Sequence, residues 1–298
     1  MQIRGDTMSK NKTSTLIRQI DQSLHSRLAI GRPKRPDKAD GSFRRYIYSW
    51  QTYKSYIKQL ALFARWCKLQ HNARYLKECR QYVAEYMQTR SELSIWTQKL
   101  DLAALQKLYQ EYPEPPEKAF GIELQPRLRQ NIRRSRQQAT RDKDFSTTNN
   151  ADLITFCRCT GLRRSELQEL RGSDLTADGN YLHVTRNTKG GRWRMAPIVG
   201  TPAEIKLVQQ ICQAAGDGRV WPNVPGSADI HSYRADYCQR VYLQHARTVE
   251  QIPADARYYC RGDRKGVILD KSAMLIASQA LGHNRIDVIA SHYLYNLQ

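Results

Sequence analysis

The sequence predicts a mainly α-helical protein with one small antiparallel β-sheet, organised as a small helical domain followed by a larger helical domain. Three observations predict it. Apolar residues recur at helical spacing through most of the chain, one stretch from Tyr181 to Ile198 alternates around a glycine turn, and the tract Tyr112-Pro113-Glu114-Pro115-Pro116 interrupts the helical pattern.

Residues 1–44 are polar and basic, with the breaker-rich tract Gly31-Arg32-Pro33-Lys34-Arg35-Pro36, and read as a flexible arm holding at most one short helix. Residues 45–112 form the first helical domain. Ser49 is placed to cap a helix on which Trp50, Tyr53, Ile57, Leu60, Ala64 and Cys67 share helical spacing, so Trp50, Tyr53 and Trp66 read as core aromatics. Further helices are predicted over 76–90 and 97–111, and the prolines end the domain because proline lacks the donor a continuing helix needs. Residues 113–145 form a basic linker. Within it, Pro126 to Lys143 carries Arg127, Arg129, Arg133, Arg134, Arg136, Arg141 and Lys143 against a single acid, Asp142.

Residues 146–298 form the second domain. Asn149 or Asn150 can cap a helix that runs through Cys159, and a second helix is predicted from Arg164 to Arg171, stopped by Gly172. Tyr181 to Thr185 and Trp193 to Ile198 alternate as two strands joined by Lys189-Gly190-Gly191, giving one hairpin. Ile205, Val208, Ile211 and Ala215 then share a helical face, and helices are expected over 231–246, 271–281 and 285–294.

Charge narrows the function. With 48 Lys+Arg against 28 Asp+Glu, the chain has a formal net charge of +20 and a pI near 9.8, the footprint of a protein that meets a polyanion, nucleic acid first. No apolar run has the length of a membrane span or of a signal peptide, which points away from a membrane and to the cytoplasm and its nucleoid. The seven cysteines form an odd set without a CxxC pair, as expected of reduced thiols. Cys157 and Cys159 fall on different helix faces, so buried thiols are expected there and no structural metal.

Five short motifs carry the chemistry. Thr160-Gly161-Leu162-Arg163-Arg164-Ser165-Glu166-Leu167 presents Arg163 from a turn between helices, where a forked guanidinium can grip a phosphate. Lys189 sits at the predicted hairpin tip, where an ammonium can reach a groove and give up a proton. His231-Ser232-Tyr233-Arg234 places a histidine and an arginine on one helix face. Leu281-Gly282-His283-Asn284-Arg285 and Ser291-His292-Tyr293-Leu294-Tyr295 complete the series. Each motif alone is commonplace, but they occur in the order Arg, Lys, His-x-x-Arg, Gly-His, Tyr with no member missing.

In that order the sequence resembles the tyrosine recombinases of the phage-integrase family. The resemblance covers roughly 145–298 and is most specific in TGLRRSEL, less so in HSYR and LGHN; the segment 45–112 looks more loosely like the family's core-binding domain. It implies a site-specific enzyme that cleaves and rejoins DNA through a 3′-phosphotyrosyl intermediate, for integration or excision of a mobile element. By motif position the resemblance assigns Arg163 and Arg234 to the scissile phosphate, Lys189 to the leaving 5′-oxygen as acid, His231 to the base, His283 to the phosphate cradle and Glu166 to a bracing role. It implies no metal and no cofactor. The implied partners are double-stranded DNA with a specific core site, three further copies of the chain in a homotetramer on paired sites, and accessory DNA-bending or directionality factors. The linker arginines Arg127, Arg129, Arg133, Arg134 and Arg136 would track the DNA backbone.

This sequence departs from the family pattern in two places. The family's tyrosine lies about nine residues after the last histidine, a position held here by His292, with Tyr293 next and Tyr295 beyond it. Two helix positions rotate a side chain by ~200°, so only one of these tyrosines can face a site, and the reading assigns Tyr293. Only Leu294 to Gln298 follow it, whereas relatives carry a longer tail that packs on a neighbouring protomer. Two other readings remain open at this point: a type IB topoisomerase, which uses a similar constellation, and a catalytically inactive DNA-binding regulator.

Overall fold

The computed structural model describes residues 9–126, 145–188, 191–295 and 297. The chain forms two compact units, Met1–Arg127 and Leu128–Gln298, mostly helical with two small antiparallel sheets. No helix among the described residues is long and apolar enough to cross a membrane.

The first unit is built on α1 (Ser9–His25), α3 (Trp50–His71) and α6 (Ile95–Tyr109), with the shorter α2 (Lys34–Ala39), α4 (Leu76–Cys79), α5 (Val83–Gln88) and α7 (Pro116–Ala119) between and after them. Ser49 caps α3 as expected, its hydroxyl accepting the Thr52 amide at 3.2 Å, and Ser94 caps α6 through Thr97 at 3.3 Å. The segment 9–44 holds more than the one short helix read from its composition. Leu16, Ile20 and Leu24 recur every four residues on α1 and are fully buried against Leu60, Phe63 and Cys67 of α3 and Leu102 and Leu105 of α6. Polar and basic flanks hide that stripe in the composition, yet burial of three large aliphatic side chains is worth several kcal/mol and orders the helix. The unit also extends beyond the proline tract, since Phe120, Ile122 and Leu124 pack on the same core. Trp50 departs from its expected core position: it sits in the first turn of α3, half exposed, with its ring perpendicular to that of Tyr53 and the centroids 5.8 Å apart. Tyr53 and Trp66 do pack against the core.

In the second unit, α8 (Ala151–Thr160) and the single turn α9 (Arg164–Leu167) precede the hairpin of β1 (Tyr181–Val184) and β2 (Arg194–Pro197), which pairs Tyr181 with Pro197 and Val184 with Arg194. Then come α10 (Pro202–Ala215), α11 (Ile230–His245), β3 (Arg257–Tyr259), β4 (Ile268–Asp270), α12 (Lys271–Ala280) and α13 (Ile286–His292). Two expectations are corrected. The helix expected over 164–171 stops after Leu167, because the chain must bring Gly172 so close to the end of α10 that a Cβ there would collide with the Cys212 carbonyl. A second antiparallel pair, β3 with β4, accompanies the expected hairpin; with three residues per strand, neither shows alternation in the sequence.

Two apolar clusters support this unit. One gathers Leu153, Phe156, Leu167, Leu182, Ala196 and Val208; the other gathers Tyr237, Val241, Leu269, Met274, Ile289 and Leu294. Helix α11 belongs to both, entering the first through Ile230 and the second through Tyr237, Cys238 and Val241. All seven cysteines are buried free thiols.

Candidate active site

Polar side chains gather where these two clusters meet. Gly161 ends α8 with φ 58°, a left-handed conformation that favours glycine, and a Cβ there would strike the Tyr237 ring. The turn throws Arg163 forward in an extended conformation at the start of α9. Glu166, three residues on, folds back to accept the Arg163 amide at 2.8 Å and its Nη1 at 2.7 Å. From the opposite side Arg194 of β2 donates Nη1 and Nη2 to the two oxygens of the same carboxylate, at 2.9 and 2.8 Å, and Nε to the Ala280 carbonyl at 3.1 Å. Burial alone would raise the Glu166 pKa, but the bonds and charge of Arg194 and Arg163 outweigh it and hold the carboxyl at about 2. Glu166 is therefore an ionised anchor between two arginines.

Helix α11 brings the next pair. Asp229 caps it by accepting the Ser232 amide at 3.2 Å, and His231 and Arg234 follow on one face. Arg234 is buried, only 2% exposed, and rests on neutral oxygens: it donates to the carbonyls of Gly161 and Leu281, and its Nε reaches the Tyr293 hydroxyl at 3.3 Å. Burial lowers its pKa, opposed by Tyr293, yet a guanidinium stays protonated in proteins. His231 keeps one side open to solvent. Partial desolvation pushes its pKa below the ordinary histidine value, Asp229 opposes this and Arg234 adds to it, so the imidazole is neutral at pH 7.

The last two members come from the end of the chain. Gly282, at φ 71°, turns the chain after α12 and passes so close to Arg194 that an added Cβ would lie 3.0 Å from its Cδ. That turn sets His283 with Nε2 at 3.4 Å from Arg163 Nη2. Tyr293 follows α13 and is 6% exposed, with its ring centroid 5.6 Å from His231 and 6.0 Å from His283; its carbonyl accepts Gln239 Nε2 at 3.2 Å. Arg163, Arg164, His231, Arg234, His283 and Tyr293 all line one cleft of about 470 Å³. Tyr295 does not line it and lies beside Arg264, whose guanidinium carbon is 5.7 Å from the ring centroid.

Of the residues singled out in the sequence, Arg163, Glu166, His231, Arg234, His283 and Tyr293 are therefore together. Lys189 and the linker arginines Arg127, Arg129, Arg133, Arg134 and Arg136 lie outside the described residues. Next to the former, Asn187 accepts a bond from Ser165 Oγ at 3.3 Å, which ties this end of the hairpin to α9. Sequence reasoning missed two arginines. Arg164 holds the loop before α11 through the carbonyls of Pro225 at 2.7 Å and Ala228 at 2.6 Å. Arg194 had a legible signal, since it alternates with the inward Ala196 and Ile198, and an arginine on the buried face of a strand requires an acid.

The arrangement is suited to an anion. Two guanidinium groups share one carboxylate and a third has no acid partner among its bonds, so the cleft keeps net positive charge. A phenol and two imidazoles face the same space. Among the described residues, no group of three His, Cys, Asp or Glu side chains is placed to hold a metal ion.

No family model and no curated protein sequence matches the chain. Among solved structures, it is similar to the Tn1549 transposon integrase in complex with circular intermediate DNA, at 12% identity over 92% of this chain and 94% of that one, with a TM-score of 0.45. A substituted form of that integrase with a circular intermediate DNA matches at 13% identity over 94% and 95%, with the same TM-score. Another, bound to transposon right end DNA, matches at 12% over 92% and 94%, with a TM-score of 0.44.

Proposed function

We propose that this protein is a site-specific tyrosine recombinase that cleaves and rejoins DNA for integration or excision of a mobile element. One observation carries the reading: Tyr293, two imidazoles and three arginines, drawn from separate segments of the chain, line a single positively charged cleft, with the tyrosine hydroxyl against Arg234.

A phosphodiester resists attack because its oxygens repel a nucleophile. Arg163 and Arg234 hold the non-bridging oxygens and stabilise the charge that builds in the pentavalent transition state. Carbonyl and carboxylate anchors fix both forks before substrate arrives, so little reorganisation is needed at the moment of reaction. A phenol ordinarily titrates near 10 and must lose its proton as it attacks. His231, neutral at pH 7 and beside the ring, accepts it. His283 donates a hydrogen bond to the phosphate. Lys189 protonates the departing 5′-oxygen, a role carried by the motif alone.

The new bond joins Tyr293 Oη to the 3′-phosphate while the bond to the 5′-oxygen breaks. Because a phosphodiester is exchanged for a phosphotyrosyl ester, a 5′-hydroxyl from a partner strand can reverse the step without ATP. The first unit acts as the core-binding domain, the linker arginines follow the DNA backbone, and four copies work on paired core sites. Incubated with two duplexes carrying the DNA that flanks its gene, the protein should exchange strands between them. Relaxation of supercoiled plasmid without paired sites, and no exchange, would instead mark a type IB topoisomerase.

A further inference from the structure

A second group of cations in the same unit lies away from the Tyr293 cleft. Arg257, Arg261, Arg264 and Lys271, with the rings of Tyr258 and Tyr259, line a pocket of about 560 Å³. Ala290 and Ser291 of α13 form another part of its wall. Among the described residues, no carboxylate lines it.

How these cations are held leaves their charge available. Several arginines elsewhere in the unit are anchored on acids, Arg240 on Glu204, Arg247 on Asp270, Arg219 on Glu169 and Arg158 on Asp236, while Arg164 and Arg171 rest on carbonyls. Around this pocket the anchors are neutral carbonyls. Arg257 donates Nε to Ile252 at 2.9 Å, Arg264 donates Nη1 to Leu294 at 2.8 Å, and Lys271 donates Nζ to Asp255 at 2.7 Å. Arg261 is exposed and makes no ion pair among the described residues. A carbonyl fixes the direction of a cation without cancelling its charge, which is also how Arg234 is held in the Tyr293 cleft.

From this geometry we propose that the 257–271 pocket is a second phosphate site, one that takes the backbone of a nucleic acid. Directed cations serve the phosphates, and Tyr259, 59% exposed, presents a ring on which a base or sugar can pack. Those ring faces favour a nucleic acid over an acidic peptide. The proposal does not depend on the chemistry of Tyr293.

Modification of arginines by phenylglyoxal, read residue by residue by mass spectrometry on the full chain, tests it. A duplex of unrelated sequence, at about ten times its Kd, should slow modification of Arg261 and Arg257 about tenfold. Arg219, anchored on Glu169 and outside the lining of this pocket, should react as before. Arg261→Glu should lower the salt slope of duplex binding by about 1. Equal protection of Arg219, or no protection of Arg261, would overturn the site. Protection by inorganic phosphate at matched ionic strength but not by the duplex would assign it to a free anion, and protection by polyglutamate alone to an acidic protein; either result overturns the nucleic-acid assignment.

Discussion

The Tyr293 cleft and the 257–271 pocket both hold cations on backbone carbonyls, but only the cleft faces its cations with imidazoles among the described residues. Arg234, Arg257, Arg264 and Lys271 all rest on backbone carbonyls. In the cleft, His231 and His283 flank a phenol whose oxygen is bonded to Arg234; no histidine lines the other pocket among the described residues. Carbonyl-anchored cations make a place for phosphate. The proposed reaction requires the imidazoles and the aimed hydroxyl in addition.

That contrast can be broken most severely at Arg234. Replacing it by alanine should lower single-turnover cleavage by about 10²–10³-fold, the scale of losing one preorganised donor to the transition state, whereas the same change at Arg257 should weaken DNA binding and leave the cleavage step unchanged at saturating DNA. Lysine at 234 should not rescue, because a single ammonium cannot reach the Gly161 carbonyl, the Leu281 carbonyl and the tyrosine together.

Glu166→Gln sharpens the difference between an acid anchor and a carbonyl anchor. It leaves Arg194 buried with its charge uncompensated, which costs about 3–5 kcal/mol and should appear as a lower midpoint in urea unfolding. The sign with pH follows from the depressed carboxyl. This contribution is complete above the unfolded-chain value of about 4.3 and is lost as pH falls toward the folded value of about 2. The wild type should therefore lose stability across that acid window more steeply than Glu166→Gln.

The smallest expected effect concerns His231. As a neutral base with a lowered pKa, it should keep the cleavage rate level from pH 7 down into the ordinary histidine range of about 6.5, with a fall of about tenfold per unit only below its own pKa. Binding in the 257–271 pocket, which has no histidine among its described lining residues, should show no such step.

Much of the site was legible in the sequence because its members sit in short, ordered motifs, and because a histidine and an arginine three apart on α11 must share a face. Arg194 was harder to see. Its partner is 28 residues away in the chain, and only the alternation of β2 points it inward. The pocket at 257–271 was invisible for a similar reason: β3 and β4 are three residues each, and the carbonyls that orient its cations carry no sequence signature. In the first unit, the stripe Leu16, Ile20 and Leu24 was readable by spacing but masked by polar neighbours, so composition gave an arm where packing gives a helix. Helix rotation allowed only one of Tyr293 and Tyr295 to face a site, and the choice of Tyr293 came from the resemblance; the two side chains lie in different surroundings.

The central claim is that Tyr293 is the nucleophile of a phosphodiester exchange. A nicked suicide duplex built from the DNA flanking the gene, in which the cleaved end diffuses away, should trap a covalent protein–DNA adduct. Peptide mapping should find the phosphate on Tyr293, with trapping abolished in Tyr293→Phe and retained in Tyr295→Phe. An adduct on Tyr295, or none on a duplex that the protein binds and recombines, would contradict the account.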